Sequence, residues 1–193
     1  MHGLRCDPAF LGWTRLLDEW IVGLTYYNRS ASTDPVCWED SHRTLSTLAD
    51  AATRVRSFAY READIEPTRI LDDATLRFEL QGRAYRVAAD QHWPDASDGV
   101  ETSAPRWLKA AEERARSVAQ GKENAVGVVF VTPRLAPSLS VDAPFAAADT
   151  FIAAGRAVRC RGCAFSFPDA QEIDRYRYGN DVYPGAMVWA ESA

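Results

Sequence analysis

The chain has 193 residues, enough for a sizeable core, and its 47% hydrophobic content with six tryptophans and eight phenylalanines excludes a disordered protein. A net charge of −5 and a pI near 5.2 supply no global basic field, which disfavours nucleic acid as a partner and leaves only a local basic groove as a route to it. Met1 to Pro8 carries no apolar core of signal-peptide type, and the longest apolar run, Ala125 to Val131, is too short to cross a bilayer, so the expectation is a cytoplasmic protein without a membrane partner.

Phe10 to Asn28 reads as the first helix, because Trp13, Leu17, Trp20, Ile21 and Leu24 recur on one face. Asn28 to Pro35 is a polar loop. A second helix is expected from about Ser41 to Ser57, capped by Asp40 or Ser41, with Leu45, Leu48, Ala52 and Val55 as its buried stripe. His42, in its first turn, reads as a solvated surface histidine. Phe58 to Ile65 alternates as a first strand and Glu66-Pro67 ends it. Arg69 to Trp93 then reads as a β-hairpin: Leu76, Phe78 and Leu80 alternate with Arg77 and Glu79, Gln81-Gly82 turns, and Tyr85 and Val87 open the return strand. That strand ends in Ala88, Ala89, Asp90, Gln91 and His92.

Ser103 is the expected cap of the next helix, with Pro105 in its first turn and Leu108, Ala111, Ala115 and Val118 facing inward; Gly121 ends it. Ala125 to Thr132 is so continuously apolar that it reads as a central strand buried on both faces. Asp142 caps a further helix with Phe145, Ala148 and Ile152 inward. Ala157 to Phe167 is the next strand, Asp169 to Asp181 is irregular, and Ala186 to Ala190 is a last short strand. The expected class is α/β: a single domain over residues 1–193, a three-layer sandwich with a mixed sheet flanked by helices. Within it, 1–57 holds the N-terminal helices, 58–167 the sheet-rich core, and 168–193 the irregular segment with the last strand.

The four cysteines, Cys6, Cys37, Cys160 and Cys163, are sparse and suit a reducing compartment. Cys160-Arg-Gly-Cys163 has metal-ligand or redox spacing, yet a structural zinc needs a second pair and a thioredoxin-type motif should precede a helix; four buried, reduced thiols without zinc are expected. There is no P-loop, no dinucleotide glycine pattern and no serine nucleophile elbow. The basic residues are nearly all arginine, with only Lys109 and Lys122 as lysines, and this excess carries no functional weight.

The order α-β-β-β-α-β, with acidic residues at the start of the second strand and the end of the third, resembles the restriction-endonuclease-like superfamily of PD-(D/E)XK nucleases. The resemblance is one of pattern and spans roughly Phe10 to Phe167. In that family an Asp before the second strand and a Glu-x-Lys on the third hold Mg²⁺, which activates water and stabilises the phosphate. Residues i and i+2 of a strand share a face, so the motif points into one cleft. Here Asp73 (or Asp72) stands for the Asp, Ala88 falls where the Glu belongs and Asp90 where the Lys belongs. One ligand is missing and a cation is replaced by an anion. Each of these acids is also explained by ordinary turn and strand-end chemistry.

The resemblance therefore implies a catalytically degenerate nuclease-like domain acting as a binding module, for a protein partner on grounds of charge, with no cofactor. The segment 169–183, with Tyr176, Tyr178 and Tyr183 interleaved with Arg175 and Arg177, has interface-like composition. The alternative is an active Mg²⁺- or Mn²⁺-dependent nuclease, with Asp73, Asp90 and Glu19 or Glu62 as ligands and Lys109 reaching in from the following helix. A third reading is a structural homodimer. The oligomeric state is open.

Overall fold

Leu76 and Phe78 do share a face with Tyr85 and Val87, because the expected hairpin forms: strand β3 (Ala74–Leu80) pairs antiparallel with β4 (Arg83–His92), with Leu76 opposite Val87 and Phe78 opposite Tyr85. Gly82 takes φ of 73° in the turn, a conformation that costs glycine nothing. The computed structural model describes residues 2–10, 12–30, 41–55, 65–67, 74–80, 82–93, 100–119, 124–132, 153–154, 157, 160–168, 172, 176–178, 181–182 and 186–192. Around the hairpin lie β1 (His2–Cys6), α1 (Trp13–Ser30), α2 (Ser41–Arg54), β2 (Ile65–Pro67), α3 (Val100–Val118), β5 (Asn124–Val131), β6 (Gly162–Ser166), β7 (Arg177–Tyr178), β8 (Asp181–Val182) and β9 (Ala186–Ser192).

Among the described residues the main sheet has seven strands in the order β1-β6-β9-β5-β4-β3-β2. It is mixed: β4 and β5 run parallel, joined by α3, and the other pairs are antiparallel. The parallel pair needs a crossover, and the 19-residue α3 supplies it. Helices cover both faces. On one face α1 and α2 bury Trp13, Leu16, Leu17, Trp20, Leu24, Leu45 and Leu48 against Leu76, Val87, Val126, Val128, Phe130 and Ala190. Trp20 Nε1 donates to Thr47 Oγ1 at 2.9 Å, so this buried tryptophan ties the two helices with its polar atom satisfied. On the other face α3 packs Trp107 and Ala111 against Val129, Val131, Phe165 and Trp189. The continuous apolar run of β5 is thus buried from both sides, as parallel strands require.

Gly127 sits where α3 crosses β5. A Cβ there would overlap the Ala111 carbonyl oxygen and lie 2.6 Å from the Ala115 amide nitrogen. The helix therefore packs backbone to backbone on the strand, which only glycine permits.

Several boundaries differ from the sequence reading, each for a local reason. β1 was not anticipated; Leu4 and Cys6 pack on the core and the strand pairs along β6 at the sheet edge. Glu66-Pro67 does not end a strand but lies in one, paired with Thr75 and Ala74. Proline is tolerated there because β2 is an edge strand and needs no ladder donor on its outer side. α3 begins at Val100, so Ser103 is an interior residue and not the cap, and Pro105 lies inside the helix, near its start. β6 begins only at Gly162, since residue 157 is helical; beyond it Asp7 N donates to the Arg161 carbonyl at 2.7 Å, one step past the β1–β6 ladder. Residues 177–178 and 181–182 are not irregular but pair antiparallel as the small strands β7 and β8, and β9 runs on to Ser192. β1 and β9, near the two ends of the chain, both belong to the main sheet, so the segments 1–57 and 168–193 contribute to its layers rather than flanking a separate core. Of the strand expected over Phe58 to Ile65, residues 58–64 lie outside the described residues, as do Asp142, Phe145, Ala148 and Ile152 of the expected helix. Among the described residues no helix is long and apolar enough to cross a membrane.

Candidate functional site

The last residues of β4 point alternately to the two faces of the sheet. Tyr85, Val87 and Ala89 face α1 and α2, so Ala88 and Asp90 face α3. Beside them β5 runs parallel, with Asp90 in register with Val129. The carboxyl ends of two parallel strands after a crossover helix form the usual crevice for a ligand in an α/β sheet.

Asp90 is the centre of this end. Its Oδ2 lies 3.5 Å from Arg114 Nη2 on α3 and 3.5 Å from His92 Nε2, and its Oδ1 accepts from the Gln91 amide at 2.9 Å. Burial pushes the carboxyl up, but the His92 ring, the Arg114 guanidinium and the Gln91 amide outweigh it and hold the group below its ordinary range. Asp90 is therefore a committed anion rather than a proton acceptor. His92 Nε2 is buried without hydrogen-bond geometry to any described partner. The His92 carbonyl accepts from Thr132 N at 3.1 Å, which extends the β4–β5 ladder past the crevice. On the opposite face Gln91 Oε1 accepts from the buried Thr44 hydroxyl of α2 at 3.3 Å.

Ala88 stands at the position of the missing Glu, near the end of β4. It is 2% exposed and packs with Val118 and Ala125 under the end of α3. It offers no oxygen and has no room for one. Lys109 sits on the outer side of α3 with its side chain 74% exposed, 3.7 Å from Glu113 one turn along the helix. Glu19 pairs with Arg54 at 3.7 Å between α1 and α2, across the sheet from Asp90. Asp72, Asp73, Glu62 and Tyr183 lie outside the described residues. Arg177 and Tyr178 are placed by their backbone in β7, without description of their side chains. Tyr176, expected on an interface-like surface, is instead buried at 5% exposure, so its ring belongs to the packing.

The structure thus brings together Asp90, Arg114 and His92. Arg114 was missed by sequence reasoning although a signal existed: it lies three residues after Ala111 and four before Val118, on the flank of the buried stripe of α3, where a long side chain reaches the sheet. Among the described residues no group of three His, Cys, Asp or Glu is placed to hold a metal ion. At the other end of β4 a cavity of 210 Å³ is lined by Ala9, Phe10, Arg83, Tyr85, Asn124, Val126, Arg161 and Ser192. It is smaller than the range of about 300–1,000 Å³ usual for drug-sized ligands.

Comparison with protein-family models, with curated proteins and with solved structures returns no match for this chain.

Proposed function

We propose that this chain is a nuclease-like domain without a working metal centre, acting as a binding module for a protein partner. The arrangement that supports the likeness is the antiparallel run β2–β3–β4, the crossover α3 and the parallel strand β5, preceded by α2. The observation that carries the loss of catalysis is the Asp90–Arg114 pair. A Mg²⁺ site needs several oxygen donors with an uncommitted charge. Here the carboxylate is already neutralised by a guanidinium, and its neighbour on the same face is the buried Ala88. The residues described at this end of the sheet do not fit a divalent ion, and no step is derived through one. An acidic chain favours a protein over a polyanion as partner.

Calorimetric titration of Mn²⁺ into the protein tests the loss of the metal centre. No binding at millimolar Mn²⁺ is expected. Mn²⁺-dependent cleavage of DNA or RNA that disappears in Asp90→Asn would replace this reading with an active nuclease using Asp73, Asp90, Glu62 and Lys109. Fluorescence anisotropy with single- and double-stranded oligonucleotides tests the partner class: micromolar affinity falling steeply with salt would make the partner a nucleic acid. Light scattering that reports a stable dimer would make it a second copy of the chain.

A further inference from the structure

Away from the β4 end, Cys160 and Cys163 flank the turn into β6 on the α3 side of the sheet. Both are buried, at 1% and 0% exposure. Each thiol is near enough to shift the titration of the other. The β1–β6 register sets Arg5 directly opposite Cys163. From there Arg5 Nη1 donates to the Cys160 carbonyl at 3.2 Å and lies 3.8 Å from the Cys160 sulfur. Arg161, between the two cysteines, has its side chain 44% exposed and is held by Asp7 at 3.0 Å and Glu191 at 3.4 Å. The two cysteines are therefore buried beside a half-exposed arginine, with a second cation, Arg5, against the Cys160 sulfur.

We propose that Cys160 and Cys163 form a redox-active dithiol, which a small hydroperoxide oxidises to an intramolecular disulfide. The two thiols are unequal. The neighbouring Cys163 lowers the Cys160 thiol, burial opposes this, and Arg5 adds to the lowering, while the neighbouring Cys160 and burial push Cys163 far up. Cys160 is thus the attacking sulfur and Cys163 the resolving one. The Cys160 thiolate attacks one peroxide oxygen, the O–O bond breaks, and hydroxide leaves with the electron pair, taking up a proton to become water. Cys160 is now a sulfenic acid. The Cys163 thiol gives up its proton and attacks the Cys160 sulfur, and the hydroxyl leaves as a second water. Both sulfurs are oxidised by one electron each and the peroxide is reduced by two. Burial selects the oxidant: a molecule the size of hydrogen peroxide needs far less opening than a bulky disulfide such as oxidised glutathione.

The test is intact-mass spectrometry with thiol titration after hydrogen peroxide treatment of a Cys6→Ser/Cys37→Ser chain. The expected result is loss of two hydrogens and of both titratable thiols, restored by dithiothreitol. Cys163→Ser added to that background should stop at a sulfenic acid on Cys160 that dimedone traps. Arg5→Gln should slow the oxidation, and Arg5→Lys should recover part of the rate; a cation acting only in packing would leave the rate unmoved. Differential alkylation and peptide mapping of the wild-type chain read the same bond if the serine variants fold poorly. Two thiols still titratable after peroxide that fully oxidises free glutathione would overturn the proposal, and so would a disulfide that joins Cys160 or Cys163 to Cys6 or Cys37 instead.

Discussion

Gly127→Ala adds one methyl group at the point where α3 crosses β5. The atoms it meets are the Ala111 carbonyl and, at 2.6 Å, the Ala115 amide nitrogen, both backbone atoms of a helix that cannot rotate out of the way. Either α3 lifts from the sheet or β5 bows, and each loosens the packing of Trp107 against Trp189, whose rings lie 5.8 Å apart. Overpacking of a well-packed core costs about 1–3 kcal/mol. A clash with fixed backbone belongs at the top of that range, about 3 kcal/mol, a large share of the ~5–15 kcal/mol that holds a domain together. The same shift carries Arg114 away from Asp90, because residue 114 lies between the two clashing positions. Urea unfolding should therefore show a lower midpoint at unchanged slope, and NMR titration of the Asp90 carboxyl should show its pKa returning towards the ordinary value. Gly82→Ala is the contrast: nothing lies within 4 Å of its added Cβ, and the cost of about 1–2 kcal/mol comes from the left-handed backbone alone, with Asp90 untouched. A Gly127→Ala protein within about 0.5 kcal/mol of the parent, with Asp90 titrating as before, would refute the close crossing of helix and strand.

Asp90 is held below its ordinary value of 3.8, so its ion pair contributes stability above that pH and loses it as the pH falls through the folded-state value. Asp90→Asn should flatten the fall in stability from about pH 5 downwards, measured by urea unfolding at a series of pH values; an unchanged slope would remove the ion pair from the folded state. Val128 is fully buried under α1 and α2, and Val128→Asp should prevent folding because an unpaired buried carboxylate costs several kcal/mol. A soluble Val128→Asp protein that unfolds cooperatively would contradict the placement of β5. Ala88→Glu should also destabilise strongly, since Ala88 packs beneath the end of α3; circular-dichroism melting close to that of the parent would show that the strand end is open after all.

The amino-acid sequence by itself determined the elements whose apolar spacing is long and regular. The stripes of α1, α2 and α3, the alternation in the β3–β4 hairpin and the doubly apolar β5 were all legible, because burial of one face or both imposes a period on the residues themselves. Leu45, Leu48, Val128 and Phe130 are buried as their positions imply. The α/β class followed from the order of these elements. Short edge elements were not legible: β1 is held by β6, far along the chain, and strands of three to five residues such as β2 and β1 carry too few alternations to announce themselves. The β4 end was half legible. Asp90 and the absent glutamate at Ala88 could be read from spacing, but charge pairing is a matter of three-dimensional proximity, and only the crossing of α3 over the sheet set Arg114 against Asp90. The same holds for Arg5 and Cys160, which lie 155 residues apart and meet only because β1 adds to the edge of β6. Local periodicity is written in neighbouring residues; the partner of a charge or a thiol is chosen by which surfaces the folded layers bring together.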